Sequence, residues 1–222
     1  MLMRNHNLSL NAFSRCGIYT VVVIGFWTIW CLLMVVWPQV FAQPTIRAIA
    51  RVSIVLIPSL IFCWQENQQQ SIFDYFLLRE NWVRGVIVGG GVAILYFGAD
   101  WLLNFDVKQS AFHFPVGFPI WFNFILGSPF AEELFFRGVL LKELRMIVGA
   151  IWATLISAFA FALLHLPQWL LLDNLFGFEL LLLFVTIFFY GIIFALLVNL
   201  TRSLWGSLIP HWINNFILLA IR

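Results

Sequence analysis

The sequence predicts an all-α protein, a polytopic bundle of about seven to eight membrane-spanning helices around an intramembrane polar cavity. Three observations carry this. Of 222 residues, 63% are apolar and 10% charged, with a mean hydropathy of +0.97, against about 45–50% and about 25% in soluble domains. The apolar residues fall into blocks of about 20, the length that crosses a bilayer core. Three of those blocks carry ionisable or amide side chains away from their ends. The composition excludes a soluble globular domain, a disordered chain and a collagen-like repeat. An aromatic content of 18%, with 25 Phe and 11 Trp, suits lipid contact and interfacial belts. The lipid bilayer is thus the first partner, and a net charge of +2 is too small to point to nucleic acid.

The polar segment 1–17, with Arg4 and Arg15, precedes an apolar block at 18–37. Val40-Phe41-Ala42 loosely resembles a signal cleavage site. A signal h-region is only about 7–15 residues long, so the block predicts an uncleaved first span. The second span is expected at 48–64. The polar linker 65–81, which holds Gln68-Gln69-Gln70, is expected at the membrane surface with a short interfacial helix over 72–78. The third span, 82–103, contains Gly89-Gly90-Gly91, which weakens a helix but lets neighbouring backbones approach closely. A phosphate-binding loop there is a poor reading, because no Gly-Lys-Ser/Thr follows. The loop 104–115 carries Asp106, Lys108 and His113. Spans four to seven are predicted at 117–141, 147–166, 176–200 and 204–221. Cys16, Cys31 and Cys63 form no CxxC pair and read as small buried residues.

There is no internal repeat. The chain divides into residues 1–116, N-terminal transmembrane helices without an assignment, and residues 117–222, a helix core that holds the polar residues. With the N-terminus cytoplasmic, the inner segments hold Arg4, Arg15, Arg79, Arg84, Lys142, Arg145 and Arg202, and the outer ones Arg47, Arg51, Lys108 and Arg222. Seven against four favours that orientation.

A charge at the centre of a span costs about 2.5–3.5 kcal/mol even on the lenient insertion scale. Span four nevertheless contains Glu132, Glu133 and Arg137. Span five contains His165, with Phe161 one turn earlier, and span seven contains His211, with Asn215 one turn later. Pro129 and Pro210 lie beside them, and each frees a backbone carbonyl one turn earlier. Taken singly, these residues have plain explanations. Glu133 and Arg137, four apart, can form a structural ion pair. His165 can be a hydrogen-bonded core histidine, Asn215 interhelical glue and Phe161 packing surface. Taken together, on three spans that are otherwise mostly apolar or small, they predict a hydrated cavity.

Such a set has a chemical logic. A carboxylate in a low-dielectric site serves as general base toward water. A histidine and an amide one turn apart can donate to one oxyanion. Together they describe water attack on a carbonyl, hence amide or ester hydrolysis. Glu132, His165 and His211 would also satisfy the ligand set of a catalytic zinc, although the HExxH spacing of zinc proteases is absent. Glu132 points about 100° away from Glu133 around the helix, so the two carboxylates cannot share one task. Counted at about 1.5 Å per residue from the inner ends, Glu132 lies deeper than His211, and His165 deeper still. A common site therefore requires tilted or broken helices, which Pro129 and Pro210 can supply.

Glu132-Glu133-Leu134-Phe135-Phe136-Arg137 has the form EExxxR, Phe161 to His165 the form FxxxH, and His211 to Asn215 the form HxxxN. In this order, each within an apolar span, the three resemble the motifs of the CAAX protease and bacteriocin-processing (Abi, or CPBP) family of intramembrane endopeptidases, over residues 118–221. The resemblance implies a catalytic helix core in 117–222 with a conical cavity open to one membrane face. It implies that Glu132 activates water with help from His165, that His211 and Asn215 form the oxyanion site, and that Glu133 and Arg137, with Phe161, hold the geometry. It implies no bound cofactor, with zinc, held by Glu132, His165 and His211, as the alternative from the family's description as metalloproteases. The partner is then a peptide or membrane-associated protein substrate, and the location a prokaryotic plasma membrane. Two readings stand against an enzyme: a non-catalytic scaffold or bacteriocin-immunity protein, and a transporter, which lacks the inverted repeat many secondary transporters show.

Overall fold

The structure, a computed structural model, describes residues 2–39, 43–66, 70–108 and 113–220, with side chains for 17–39, 43–65, 70–95 and 113–220. Val40-Phe41-Ala42, Gln68-Gln69 and the side chains of Arg4, Arg15, Cys16, Asp106, Lys108 and Arg222 lie outside the described residues. The helices are α1 (Leu2–Val36), α2 (Pro44–Glu66), α3 (Ile72–Tyr75), α4 (Trp82–Lys108), α5 (Phe118–Ile120), a first π-helical segment (Trp121–Gly127), α6 (Ser128–Glu133), a second π-helical segment (Leu134–Leu141), α7 (Lys142–Leu171), α8 (Gly177–Thr201) and α9 (Trp205–Ala220). No strand occurs among the described residues.

Four stretches, Gly17–Val36, Pro44–Gln65, Phe118–Leu171 and Gly177–Thr201, are long and apolar enough to cross a membrane. The third is two rods. Gly149, at φ 80° and ψ 170°, breaks α7, a left-handed conformation that favours glycine. Beyond it the Ser157 hydroxyl donates back to the Phe136 carbonyl at 2.7 Å, so the chain has reversed. With α4 and α9, the rods lie at the positions of the predicted spans, and Val21, Ile94, Ile151 and Phe178, each more than 70% exposed, belong to an apolar outer surface suited to lipid. Cys31 and Cys63 are buried and unpaired.

Four expectations are corrected. The break between spans four and five falls at Gly149 rather than before residue 147, and the fifth rod runs through Pro167 to Leu171. Helix α2 starts at Pro44, a residue preorganised for the first helical turn. Helix α4 continues to Lys108, so Asp106 and Lys108 stand on a helix and not in a loop. The short helix after α2 covers only Ile72–Tyr75 rather than 72–78, and protein contacts hold its C-terminal end. Its Ser71 hydroxyl caps the Asp74 amide at 3.2 Å. The Tyr75 hydroxyl donates to Glu143 at 3.2 Å, and Lys142 Nζ sits 3.5 Å from the Tyr75 ring centroid. Phe76 is buried against Gly138, where an added Cβ would lie 2.5 Å from the Phe76 ring.

The glycines of α4 do bring a backbone close, but the residues are Gly85 and Gly89, not the whole triplet. A Cβ on Gly89 would lie 2.8 Å from the carbonyl oxygen of Gly206, the carbonyl that Pro210 leaves without its helical donor. A Cβ on Gly91 meets nothing within 4 Å. Gly89→Ala is therefore expected to lower stability by about 1–3 kcal/mol, the usual scale of overpacking, while Gly91→Ala leaves the melting temperature unchanged or higher because alanine is the better helix former. Melting curves in detergent check the contrast; equal curves would contradict this packing.

Candidate active site

The polar residues of the three spans converge because the helix carrying the glutamates is not uniform. A π-helical segment lies on each side of α6. π-winding closes i→i+5 rings, so it places more residues in each turn and shortens the rod. Pro129 opens the backbone on the N-terminal side, and α9 fills that opening. Asn215 Nδ2 donates to the Phe124 carbonyl at 2.7 Å, and Trp212 Nε1 donates to the Leu126 carbonyl at 3.2 Å. Side chains of α9 thus occupy these irregular carbonyls. The same bonds fix α9 against the first π-segment, and this resolves the depth mismatch expected for straight helices.

Glu132, His165, His211 and Asn215, the four predicted catalytic residues, line one cavity of about 290 Å³, together with Ser128, Phe161, Phe194 and Asn214. Glu133 does not line it and is fully buried. Adjacent carboxylates thus occupy different environments, as the 100° helical step requires. His211 lies between them. Its Nδ1 is 3.0 Å from Glu133 Oε1, and its Nε2 is 3.9 Å from Glu132 Oε2. His165 Nδ1 lies 2.9 Å from the Phe161 carbonyl. Since a carbonyl only accepts, Nδ1 carries the proton and Nε2 keeps its lone pair.

Arg137 supports this cluster from behind. Its guanidinium lies 3.2 Å from Glu133 Oε1 with both side chains fully buried, and it donates to the Gly191 carbonyl at 3.3 Å. Its Nε has no hydrogen-bond partner. Three rings surround the charge instead: the guanidinium carbon is 4.4 Å from the Phe161 ring centroid, 5.5 Å from that of Phe194 and 6.0 Å from that of Phe136. This is a desolvated cation–π arrangement. Gly191 also lets α8 pack closely on α7, since a Cβ there would lie 2.9 Å from the Cα of Ala158.

Sequence reasoning did not single out Phe194, which stacks on the His211 imidazole at 5.0 Å between centroids. It also missed Asn214, whose Nδ2 donates to Asn215 Oδ1 at 3.1 Å, and Arg51, which lines the cavity from α2. Phe194 is one of 25 Phe, and no spacing marks it. Asn214 carries a legible signal, a polar group inside an apolar span, whereas Arg51 stands near a span end.

The zinc set fits poorly. Glu132, His165 and His211 share the cavity, but no group of three His, Cys, Asp or Glu that could hold a metal ion occurs among the described residues. Glu132 Oε2 and His211 Nε2 stand 3.9 Å apart.

No curated protein and no solved structure matches the chain. Residues 114–217 match the family model of the Rce1-like type II CAAX prenyl endopeptidases. That segment contains all seven motif residues from Glu132 to Asn215 that line or support the cavity. Over residues 114–217, slightly under half of its length, this chain is thus similar to the Rce1-like type II CAAX prenyl endopeptidases, a family of protease hydrolases.

Proposed function

We propose that this chain hydrolyses a peptide bond within the membrane by a glutamate-activated water. The observation that supports this best is the shared cavity, in which Glu132 and His165 Nε2 meet the His211 and Asn215 donors. A water in the cavity attacks the scissile carbonyl carbon as its proton passes to Glu132, with the His165 lone pair as a second acceptor. The carbonyl oxygen becomes an oxyanion. The second N–H of the Asn215 amide and the Nε2–H of protonated His211 donate to it, while Glu133 orients that imidazole through Nδ1. The C–N bond then breaks, and the proton held by Glu132 passes to the leaving nitrogen. The products are a new carboxyl terminus and a new amine, with one water consumed. No step is routed through a metal.

The substrate on this reading is a membrane-associated peptide or protein with a prenylated cysteine before the scissile bond. The membrane is a prokaryotic plasma membrane with the N-terminus on the cytoplasmic side, as the Lys/Arg bias indicates. The test is purified protein incubated with a farnesylated CAAX peptide, products identified by mass, before and after exhaustive chelation. The expected result is release of the last three residues as a tripeptide at a rate unchanged by chelation. Loss of cleavage on chelation and its recovery with added zinc would replace this mechanism with the metalloprotease one. Cleavage of neither the farnesylated peptide nor its unmodified form would overturn the proteolytic reading.

A further inference from the structure

The N-terminal half contributes a cation that the mechanism does not use. Arg51, on the second turn of α2, lies outside the matched segment 114–217. It lines the catalytic cavity and also a neighbouring one of about 400 Å³, a volume within the usual range for ligand pockets. Phe124 is likewise shared by both. The guanidinium is clamped between two rings, 5.0 Å from the Trp27 centroid and 5.3 Å from that of Phe124. It has no carboxylate within ion-pair distance among the described residues. Its buried Nε has no hydrogen-bond partner, and neither has the buried indole Nε1 of Trp27 beside it. Two adjacent N–H donors, one of them charged, are thus held rigid and unsatisfied, an arrangement that is costly unless a ligand completes it.

The surroundings favour an anion. Arg47, one turn earlier, lines the same second cavity, and the carboxylate there, Asp173, is exposed and already accepts from Gln168 at 3.4 Å. Two guanidinium groups therefore face one carboxylate. We infer that Arg51, with the Trp27 indole N–H, binds the C-terminal carboxylate of the peptide substrate. The inference rests on the proteolytic reading above. A CAAX tail has three residues beyond the scissile bond, about 10 Å when extended. They would leave the catalytic cavity past Phe124 and enter the second one, where an otherwise uncharged tail presents a single anionic group. A planar guanidinium suits a carboxylate better than a lysine would.

The experiment compares one farnesylated peptide as the free acid and as the C-terminal amide, in cleavage by the parent chain and by Arg51→Gln, and in equilibrium binding to both. The parent is expected to favour the acid by at least about tenfold in kcat/KM, mainly through KM, the scale of one charge-assisted hydrogen bond. In Arg51→Gln the acid-to-amide ratio should fall close to one, with Arg51→Lys in between. Equal cleavage of acid and amide by the parent, which needs no variant, would overturn the carboxylate site and leave the proteolytic reading standing. An acid preference that survives in Arg51→Gln would overturn it too. If neither peptide is cleaved, the proteolytic reading fails, and the binding ratio alone decides the site: an Arg51-dependent preference for the acid supports it, and equal binding refutes it.

Discussion

Arg137→Ala is expected to lower stability by about 3–5 kcal/mol, the cost of breaking a buried pair from one side. The Glu133 carboxylate would be left fully buried with only His211 as counter-charge, since its Oε2 has no hydrogen-bond partner. The Gly191 carbonyl would lose its side-chain donor, and the ring cage of Phe136, Phe161 and Phe194 would enclose a cavity where the guanidinium stood. Activity falls with it, because Glu133 positions His211. The double variant Glu133→Gln with Arg137→Gln leaves no lone charge and should regain part of the stability. It should not regain activity, since a neutral amide no longer pairs with a protonated imidazole at 3.0 Å. Melting curves of the detergent-solubilised variants decide the matter. An Arg137→Ala curve that overlays the parent would remove the pair from any structural role.

Glu132→Gln should behave in the opposite way. Its one ionic contact is the 3.9 Å approach to His211, so the fold should survive its neutralisation. Loss of a general base costs about 10²–10⁴-fold in rate. Asn215→Ala removes one oxyanion donor, worth about 10²–10³-fold. It also frees the Phe124 carbonyl, so a stability loss of about 0.5–1.5 kcal/mol should accompany the lost rate. The pattern expected is activity lost alone at Glu132, activity and stability lost together at Asn215.

Much of this was legible because a bilayer sets the length of a span and makes polar residues within one conspicuous. The three motifs stood out for that reason, and the one-turn spacings of Glu133 with Arg137 and of Phe161 with His165 became real contacts. What was not legible depends on tertiary context. The polar run from Lys142 to Arg145 marks a break between spans four and five, but Gly149 lies in the apolar stretch beyond it, so hydropathy does not place the reversal there. The π-helical winding around Ser128–Glu133 leaves no pattern beyond Gly127 and Pro129, yet it brings three side chains of unequal predicted depth to one cavity. Arg51 looks like an anchor near the end of a span until α2 packs beside the first π-segment. Asp106 and Lys108 suggested a loop because polar residues often end spans, whereas the helix runs on through them.

The central claim is that Glu132 does the chemistry and does not merely hold the bundle together. The most direct measurement is the turnover of a farnesylated CAAX peptide by Glu132→Gln and parent protein, purified side by side and matched by melting temperature. The account predicts a variant that melts within a few degrees of the parent and retains less than about one hundredth of its cleavage rate. A variant that melts like the parent and cleaves at a comparable rate would contradict it.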